Sequence, residues 1–258
     1  MATGPNADAS GVSGVSGAAA SGADAAPVIE LREVDAGYGP FRAIFGVSFA
    51  IAPGRVLALL GSNGAGKTTV ARVCSGLIVP TAGKVFFAGE DVTGRRAYKY
   101  AQLGIVHAPE GRSVFASLTV EENLELTFRR DRGRNGVKGA LDEAFAMFPR
   151  LGERRRQIAG TLSGGEQRML SLSRVIVERP RLLIADELSL GLAPIVVDEV
   201  YQTLQQIRDA GTTLLIVEQH VHHALGLADD AIVLVKGEVA YSGPVSELGD
   251  LQARVLGG

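Results

Sequence analysis

The sequence predicts an α/β fold in which helices cover a largely parallel sheet, with an antiparallel layer near its start and a helical insertion in its middle. From residue 28 onward, short apolar runs are separated by glycine and other turn residues, as strands are. Helix-sized segments lie between the later runs, and this alternation is typical of a parallel sheet. The strand pattern stops between about residues 119 and 158, where the apolar spacing is helical.

Eight apolar runs are predicted as strands. The early runs are closely spaced, which favours an added antiparallel layer, and helix-sized segments lie between the later runs. In the insertion, Thr119 and Glu122 have the spacing of a capping box at a helix start. The charged run 129–139 is predicted as a solvated connector. The eight runs are VIELREV, IFGVSFAI, RVLALL, KVFFAG, GIVHA, RLLIAD, TTLLIVE and AIVLV.

Composition excludes several classes of protein. A net charge of −2 gives no reason to expect nucleic acid or an anionic membrane surface as a partner. The single cysteine, Cys74, excludes an internal disulfide and fits a reducing compartment. No apolar run approaches the ~18 residues of a membrane-spanning helix, and no signal peptide is recognised. We expect a soluble, cytoplasmic protein.

Residues 1–27 differ from the rest of the chain. They are rich in alanine, glycine and serine and offer a core almost nothing to bury. We therefore predict a disordered tail, with a weak interaction tail as the alternative.

The segment GSNGAGKTT has the pattern of a phosphate-binding loop and lies between a predicted strand and a predicted helix. Its glycines allow backbone N–H groups to turn toward a phosphate, and the helix adds its positive N-terminal end. Lys67 would reach the β- and γ-phosphates, and the Thr68 hydroxyl would bind Mg²⁺. The alternative is an ordinary glycine turn. The residues assigned to the nucleotide are Gly61, Ser62, Asn63, Gly64, Ala65, Gly66, Lys67, Thr68 and Thr69.

Two carboxylates end the buried run RLLIADE. Burying them is costly unless a cation or hydrogen bonds receive them. Asp186 is placed to hold the Mg²⁺ shell, and Glu187 to polarise the attacking water at the γ-phosphate. The alternative is that the pair only caps the following helix.

These segments, together with LSGGEQ at residues 162–167, occur in the order and spacing of ATP-binding cassette (ABC) ATPases, which the chain resembles over residues 28–258. The resemblance implies a P-loop NTPase (RecA-like) core with an antiparallel β subdomain and a helical subdomain at approximately 112–162. It also implies ATP and Mg²⁺ as cofactors.

The turn Ser163, Gly164, Gly165 and Glu166 raises the question of why a helix should open with two glycines. Ser163 and Glu166 form a capping box, and the free N–H groups of the first turn make an anion site. Glycines let a phosphate approach the backbone closely. In the family that phosphate is the γ-phosphate of an ATP held by a second subunit. An ordinary capped helix is the alternative.

Tyr38 lies where the family places an aromatic ring against adenine, although a surface turn tyrosine is a competing interpretation. Residues 189–194, SLGLAP, occupy the family's D-loop, which contacts the partner subunit. Both assignments are implied by the resemblance.

The chain departs from the usual pattern of the family at three positions. Glu110 replaces a glutamine that senses Mg²⁺ and joins the core to the membrane partner, and a carboxylate can still bind Mg²⁺. Gln219 replaces the switch histidine and can hydrogen-bond the γ-phosphate without carrying a positive charge; His220, one place later, is interpreted as a surface residue. Leu188 replaces the proline after Glu187.

The first two departures are characteristic of one subfamily, the LivF-type ATPase subunits of branched-chain amino acid importers. The segments PEGR, LTVEENL, GTLSGGEQ, LSLGLAP and VEQ resemble it closely. Subunits of amide or urea importers look similar.

The resemblance implies a peripheral ATPase on the inner face of the membrane. Its partners would be two transmembrane permease subunits, a second ABC ATPase in a heterodimer, and an external substrate-binding protein. Alternatives are an exporter ATPase, a non-transport ABC protein acting on ribosomes or DNA, and a nucleotide-binding regulator with little hydrolysis. One cassette without a basic surface or coiled-coil insertion disfavours nucleic acid.

Overall fold

Two sheets form the core of the computed structural model, which describes residues 26–109, 114–219 and 221–249. The first sheet is antiparallel, in the order β2-β1-β4-β5; the second, in the order β10-β9-β3-β8-β7-β6, is parallel except at β10. The α/β prediction with an added antiparallel layer is confirmed. The strands are β1 (Ile29–Tyr38), β2 (Phe41–Ile51), β3 (Val56–Leu60), β4 (Ala82–Phe87), β5 (Glu90–Asp91), β6 (Ile105–Ala108), β7 (Leu182–Asp186), β8 (Thr213–Glu218), β9 (Asp230–Val235) and β10 (Glu238–Pro244).

All eight predicted strands are present, and two further strands were not predicted. β5 has two residues, too short to leave a pattern. β10 lies at the sheet edge, contains Gly243 and Pro244, and alternates between half-buried and exposed side chains. Edge strands tolerate such residues because one side of the backbone needs no partner.

Seven α-helices lie among the described residues. In the insertion the Thr119–Glu122 capping box is confirmed, with the Glu122 N–H donating to the Thr119 hydroxyl at 3.2 Å. The expected connector at 129–139 is wrong: the chain there is helical on both sides of a break at Gly133, where φ is 66°. The helices are α1 (Lys67–Cys74), α2 (Ala97–Gln102), α3 (Val120–Met147), α4 (Pro149–Glu153), α5 (Gly164–Glu178), α6 (Pro194–Asp209) and α7 (Val221–Leu227).

Alternate residues of the parallel strands point into two separate cores. In β7, Leu183 and Ala185 belong to the core beneath α3, α5, α6 and α7, whereas Leu182 and Ile184 belong to the core shared with α1 and the antiparallel sheet. By the same alternation Asp186 points to the α1 face. The helices α1 and α5 therefore cover opposite faces of the parallel sheet. No helix in the described ranges has both the length and the apolar character to cross a membrane.

The start of α5 lies tightly against the start of α6. A Cβ atom at Gly165 would lie 2.7 Å from Cγ1 and 3.2 Å from Cγ2 of Val196. Real Cβ atoms do not approach other atoms this closely, so a side chain at residue 165 requires α6 or Val196 to move. This packing against Val196 explains a glycine at residue 165 without any contact to a partner subunit.

We expect Gly165→Ala to lower the free energy of unfolding by about 1 kcal/mol. Alanine favours a helix by about 1 kcal/mol over glycine, but overpacking costs about 1–3 kcal/mol, and a valine on a helix has few rotamers with which to yield. Urea unfolding measures the difference. In a Val196→Ala background the same substitution should be neutral or stabilising; equal destabilisation in both backgrounds would contradict the contact.

Candidate functional site

The phosphate loop joins the end of β3 to the start of α1. Gly66 precedes the helix with φ 103°, and a Cβ there would lie 2.7 Å from Cγ2 of Ile44, so only glycine fits. The helix has no side-chain cap and no acidic residue in its first turn. Its first N–H groups are therefore available to an anion such as a phosphate.

Lys67 lies beneath this loop with only 3% of its side chain exposed. Its ammonium donates to the carbonyl oxygens of Gly61 at 3.0 Å and Ser62 at 3.3 Å, and pairs with the Glu187 carboxylate at 3.3 Å. A buried ammonium needs such acceptors because burial removes its hydration. The contact brings together the lysine and the carboxylate that the sequence assigned to one site.

Asp186 ends β7 and is almost fully buried, with 1% exposure. Oδ2 lies 3.5 Å from Nε2 of His107, and Oδ1 has no hydrogen-bond partner among the described residues. A buried carboxylate oxygen without a partner is costly and indicates that a cation or water completes it.

The residues present fit Mg²⁺. Thr68, half-buried in the first turn of α1, supplies a hydroxyl, and Asp186 supplies the unpartnered oxygen. Oxygen ligands together with substrate phosphates are the usual surroundings of Mg²⁺ in proteins. The described residues contain no cluster of three or more His, Cys, Asp or Glu suited to a metal, so nucleotide and water would supply the remaining ligands. Glu110, also assigned to the metal, lies outside the described residues.

The backbone at Glu187 is left-handed, with φ 49°. Such a conformation costs a non-glycine residue about 1–2 kcal/mol and is common at functional sites. Two contacts hold it: the Glu187 N–H donates to the Val217 carbonyl at 2.8 Å, and the next side chain, Leu188, is buried in the helical core. With this backbone conformation, the Glu187 carboxylate points toward Lys67 at the phosphate loop.

Tyr38 ends β1 with 46% of its surface exposed. Its hydroxyl accepts a hydrogen bond from Nη1 of Arg72 on α1 at 3.0 Å, which fixes the ring beside the helix that begins at the phosphate loop. The exposed ring leaves room for a base to stack on it. Its assignment to adenine stays a prediction.

The Ser163–Glu166 capping box is present at the start of α5. The Ser163 N–H donates to Oε2 of Glu166 at 2.9 Å, and the Glu166 N–H donates to the Ser163 hydroxyl at 3.2 Å. Burial opposes ionisation of Glu166, but these hydrogen bonds and the charge of Arg154 lower its pKa. The Arg154 Nε lies 2.9 Å from Oε1. This turn lies on the sheet face opposite α1, so it does not share a layer with the phosphate loop.

Gln219 follows β8 and is exposed, and it lies at the carboxyl ends of the parallel strands, as Asp186 does. Its neighbour Glu218, which we did not predict as functional, is buried and accepts from the Ser189 N–H at 3.1 Å and hydroxyl at 2.9 Å. It therefore fixes the segment that follows Glu187. A charged residue in the apolar run TTLLIVE is the sequence signal that could have identified it.

The chain is similar to a known protein family and to individual transport proteins. The profile of the ABC transporter family matches residues 44–189. The high-affinity branched-chain amino acid transport ATP-binding protein BraG of Pseudomonas aeruginosa is 39% identical, over 82% of this chain and 91% of its own. The probable branched-chain amino acid transport ATP-binding protein LivF of Archaeoglobus fulgidus is 36% identical, over 84% of this chain and 92% of its own.

Solved structures share the fold. A crystal structure of the ADP conformation of an ATP-binding cassette of an ABC transporter superposes with a TM-score of 0.76 at 23% identity, covering 88% of this chain and 95% of that one. With the family profile, the two relatives and the geometry of the phosphate loop taken together, this chain belongs to the ABC transporter family as an ATP-hydrolysing, nucleotide-binding subunit.

Proposed function

We propose that this subunit powers the import of branched-chain amino acids, as a peripheral protein on the cytoplasmic face of the membrane. The observation that supports the chemistry is that Lys67, Glu187 and the unpartnered oxygen of Asp186 all lie at the carboxyl ends of the parallel strands. The substrate class rests on the two relatives named for transport of these amino acids.

The ion pair between Lys67 and Glu187 supports a specific order of events. A γ-phosphate entering the loop competes with Glu187 for the Lys67 ammonium, because the two anions would share one cation. Lys67 then binds phosphate oxygen, and Glu187 is freed to accept a proton from the attacking water. The water oxygen bonds to the γ-phosphorus as the bond to the β–γ bridging oxygen breaks. Gln219 would donate a hydrogen bond to the γ-phosphate.

Asp186 and Thr68 would hold Mg²⁺, which neutralises phosphate charge when bound. Tyr38 would stack on the adenine. These roles place the nucleotide along the start of α1, from the phosphate loop to the ring that Arg72 fixes.

A second ATPase subunit would complete the site. In the turn that begins at Ser163, on the sheet face opposite α1, Ser163 is exposed and residues 164–166 are half-buried, and this turn would meet a phosphate held by another chain. We expect the partner to be a different ATPase, giving a heterodimer. ATP would hold the two chains together and hydrolysis would release them.

Permease docking is assigned to the segment at the start of the helical region. Phe115 is 53% exposed, although its backbone is tightly held. The buried Asn123 accepts from the Phe115 N–H at 2.8 Å and donates to its carbonyl at 3.0 Å. A rigid turn presenting an aromatic side chain is suited to a protein interface. Residues 110–113 of the same segment lie outside the described ranges.

We expect Glu187→Gln to reduce ATP turnover of the assembled transporter by about 100-fold or more, because the amide keeps the shape but cannot accept a proton. Binding of a fluorescent ATP analogue should persist. Phosphate release at saturating ATP measures the effect, and Glu199→Gln, at a partly exposed carboxylate on α6, is the matched control. Unchanged turnover in Glu187→Gln would favour the regulator alternative.

We expect a tagged chain purified in detergent from its own cells to bring down two multi-span proteins and a second ATPase, identified by mass spectrometry. Phe115→Asp should lose the multi-span proteins because it buries a charge at the contact, while ATP binding is unchanged. The complex in vesicles, with its binding protein, should transport leucine, isoleucine and valine.

Each failure has a separate meaning. Transport of amides or urea instead would overturn the substrate class and leave the importer role intact. Capture of an export system, or of ribosomal or DNA-bound proteins without a permease, would overturn the importer role and leave the ATPase chemistry.

A further inference from the structure

A buried histidine lies directly behind the proposed magnesium ligand. His107 on β6 is in register with Ile184 of β7, so its side chain is on the α1 face, where Asp186 also points. The imidazole is 10% exposed. Nδ1 lies 3.2 Å from the Ser75 hydroxyl, and Nε2 lies 3.5 Å from Oδ2 of Asp186. The ring therefore connects the end of α1 to the end of β7.

Nε2 of His107 faces Asp186, and the direction of the Ser75 hydroxyl hydrogen decides whether Nε2 carries the ring proton. The Ser75 oxygen also lies 3.0 Å from the Ala71 carbonyl and 3.2 Å from the Arg72 carbonyl. Both carbonyls already accept backbone hydrogen bonds: Ala71 from the Ser75 N–H at 3.1 Å, and Arg72 from the Leu77 N–H at 2.8 Å. Because each carbonyl already has a backbone donor, donating the serine hydrogen to Nδ1 leaves neither carbonyl without a partner.

The opposite assignment is electrostatically poor. If Nδ1 carried the only ring proton, the lone pair of Nε2 would face a carboxylate oxygen with no hydrogen between them, and Nε2 has no other hydrogen-bond partner among the described residues. With a proton on Nε2, the 3.5 Å separation needs to shorten by only about 0.5 Å to become an ordinary hydrogen bond. A chain of donors then runs from Ser75 through His107 to Asp186.

We propose that His107 is a positioning residue for magnesium: its Nε2–H holds Oδ2 of Asp186 and leaves Oδ1 directed to the metal. The terminal torsion of an aspartate is broad, so without this donor the carboxylate can rotate in its pocket. The inference rests on the magnesium role proposed above for Asp186. Partners that orient a metal ligand in this way typically change metal affinity 10- to 100-fold when removed.

The test compares variants of His107 in the purified full-length chain. A glutamine amide reaches approximately as far as Nε2, an asparagine amide only as far as Nδ1, and leucine donates nothing. Binding of a fluorescent, non-hydrolysable ATP analogue is measured with saturating Mg²⁺ and with EDTA. The ratio of the two affinities reports the metal, whereas loss of folding would change both affinities together.

We expect His107→Leu and His107→Asn to reduce the Mg²⁺-dependent gain in affinity by about 10-fold, with the EDTA affinity unchanged within about twofold. His107→Gln should restore most of the gain, and Ser75→Ala should produce a smaller loss. Mn²⁺ affinity in the presence of the analogue, measured by electron paramagnetic resonance, should follow the same order.

Two results would overturn the proposal: equal Mg²⁺-dependent gains in all folded variants, or a loss in His107→Gln as large as in His107→Leu. If His107→Leu does not fold, the comparison of His107→Gln with His107→Asn and the Ser75→Ala variant still decide it. A wild-type chain that shows no Mg²⁺-dependent gain would instead contradict the metal site itself.

Discussion

The rest of the site depends on the buried contacts of the Lys67 ammonium with two backbone carbonyls and one carboxylate. This ammonium is enclosed at the junction of β3 and α1, where those three groups replace its water. Because the loop must curve to present those carbonyls, its shape and the charge beneath it are coupled. The loop is thus shaped around a positive centre that also binds the Glu187 carboxylate.

Periodicity and turn chemistry allowed most of the fold to be predicted from the sequence. Eight strands and both capping boxes were identified because buried strands and helix starts have strong local signals. The edge strand β10 was missed because its glycine, proline and exposed positions weaken the pattern. The run 129–139 was misjudged because charge indicated exposure, which a helix satisfies as well as a loop does.

Chemical motifs with fixed spacing could be assigned roles from the sequence, whereas residues that contact one another across strands could not. Lys67 and Glu187 were each recognisable from the sequence, and the structure brings them into contact. His107 and Glu218 acquire meaning only from the order of the strands, since nothing in GIVHA indicates that its histidine lies beside the end of RLLIAD. The sequence linked Gly165 to phosphate access, but its contact with Val196 could not be predicted because it arises from the packing of α5 against α6.

Leu188 shows how the turn at Glu187 is kept in place. A proline after Glu187 would constrain the turn through its ring, whereas here an apolar side chain 2% exposed is anchored in the core beneath the helices. The strained carboxylate therefore takes its rigidity from packing rather than from covalent geometry. A cavity or greater motion in that core, even far from the phosphate loop, can therefore change the direction in which the Glu187 carboxylate points.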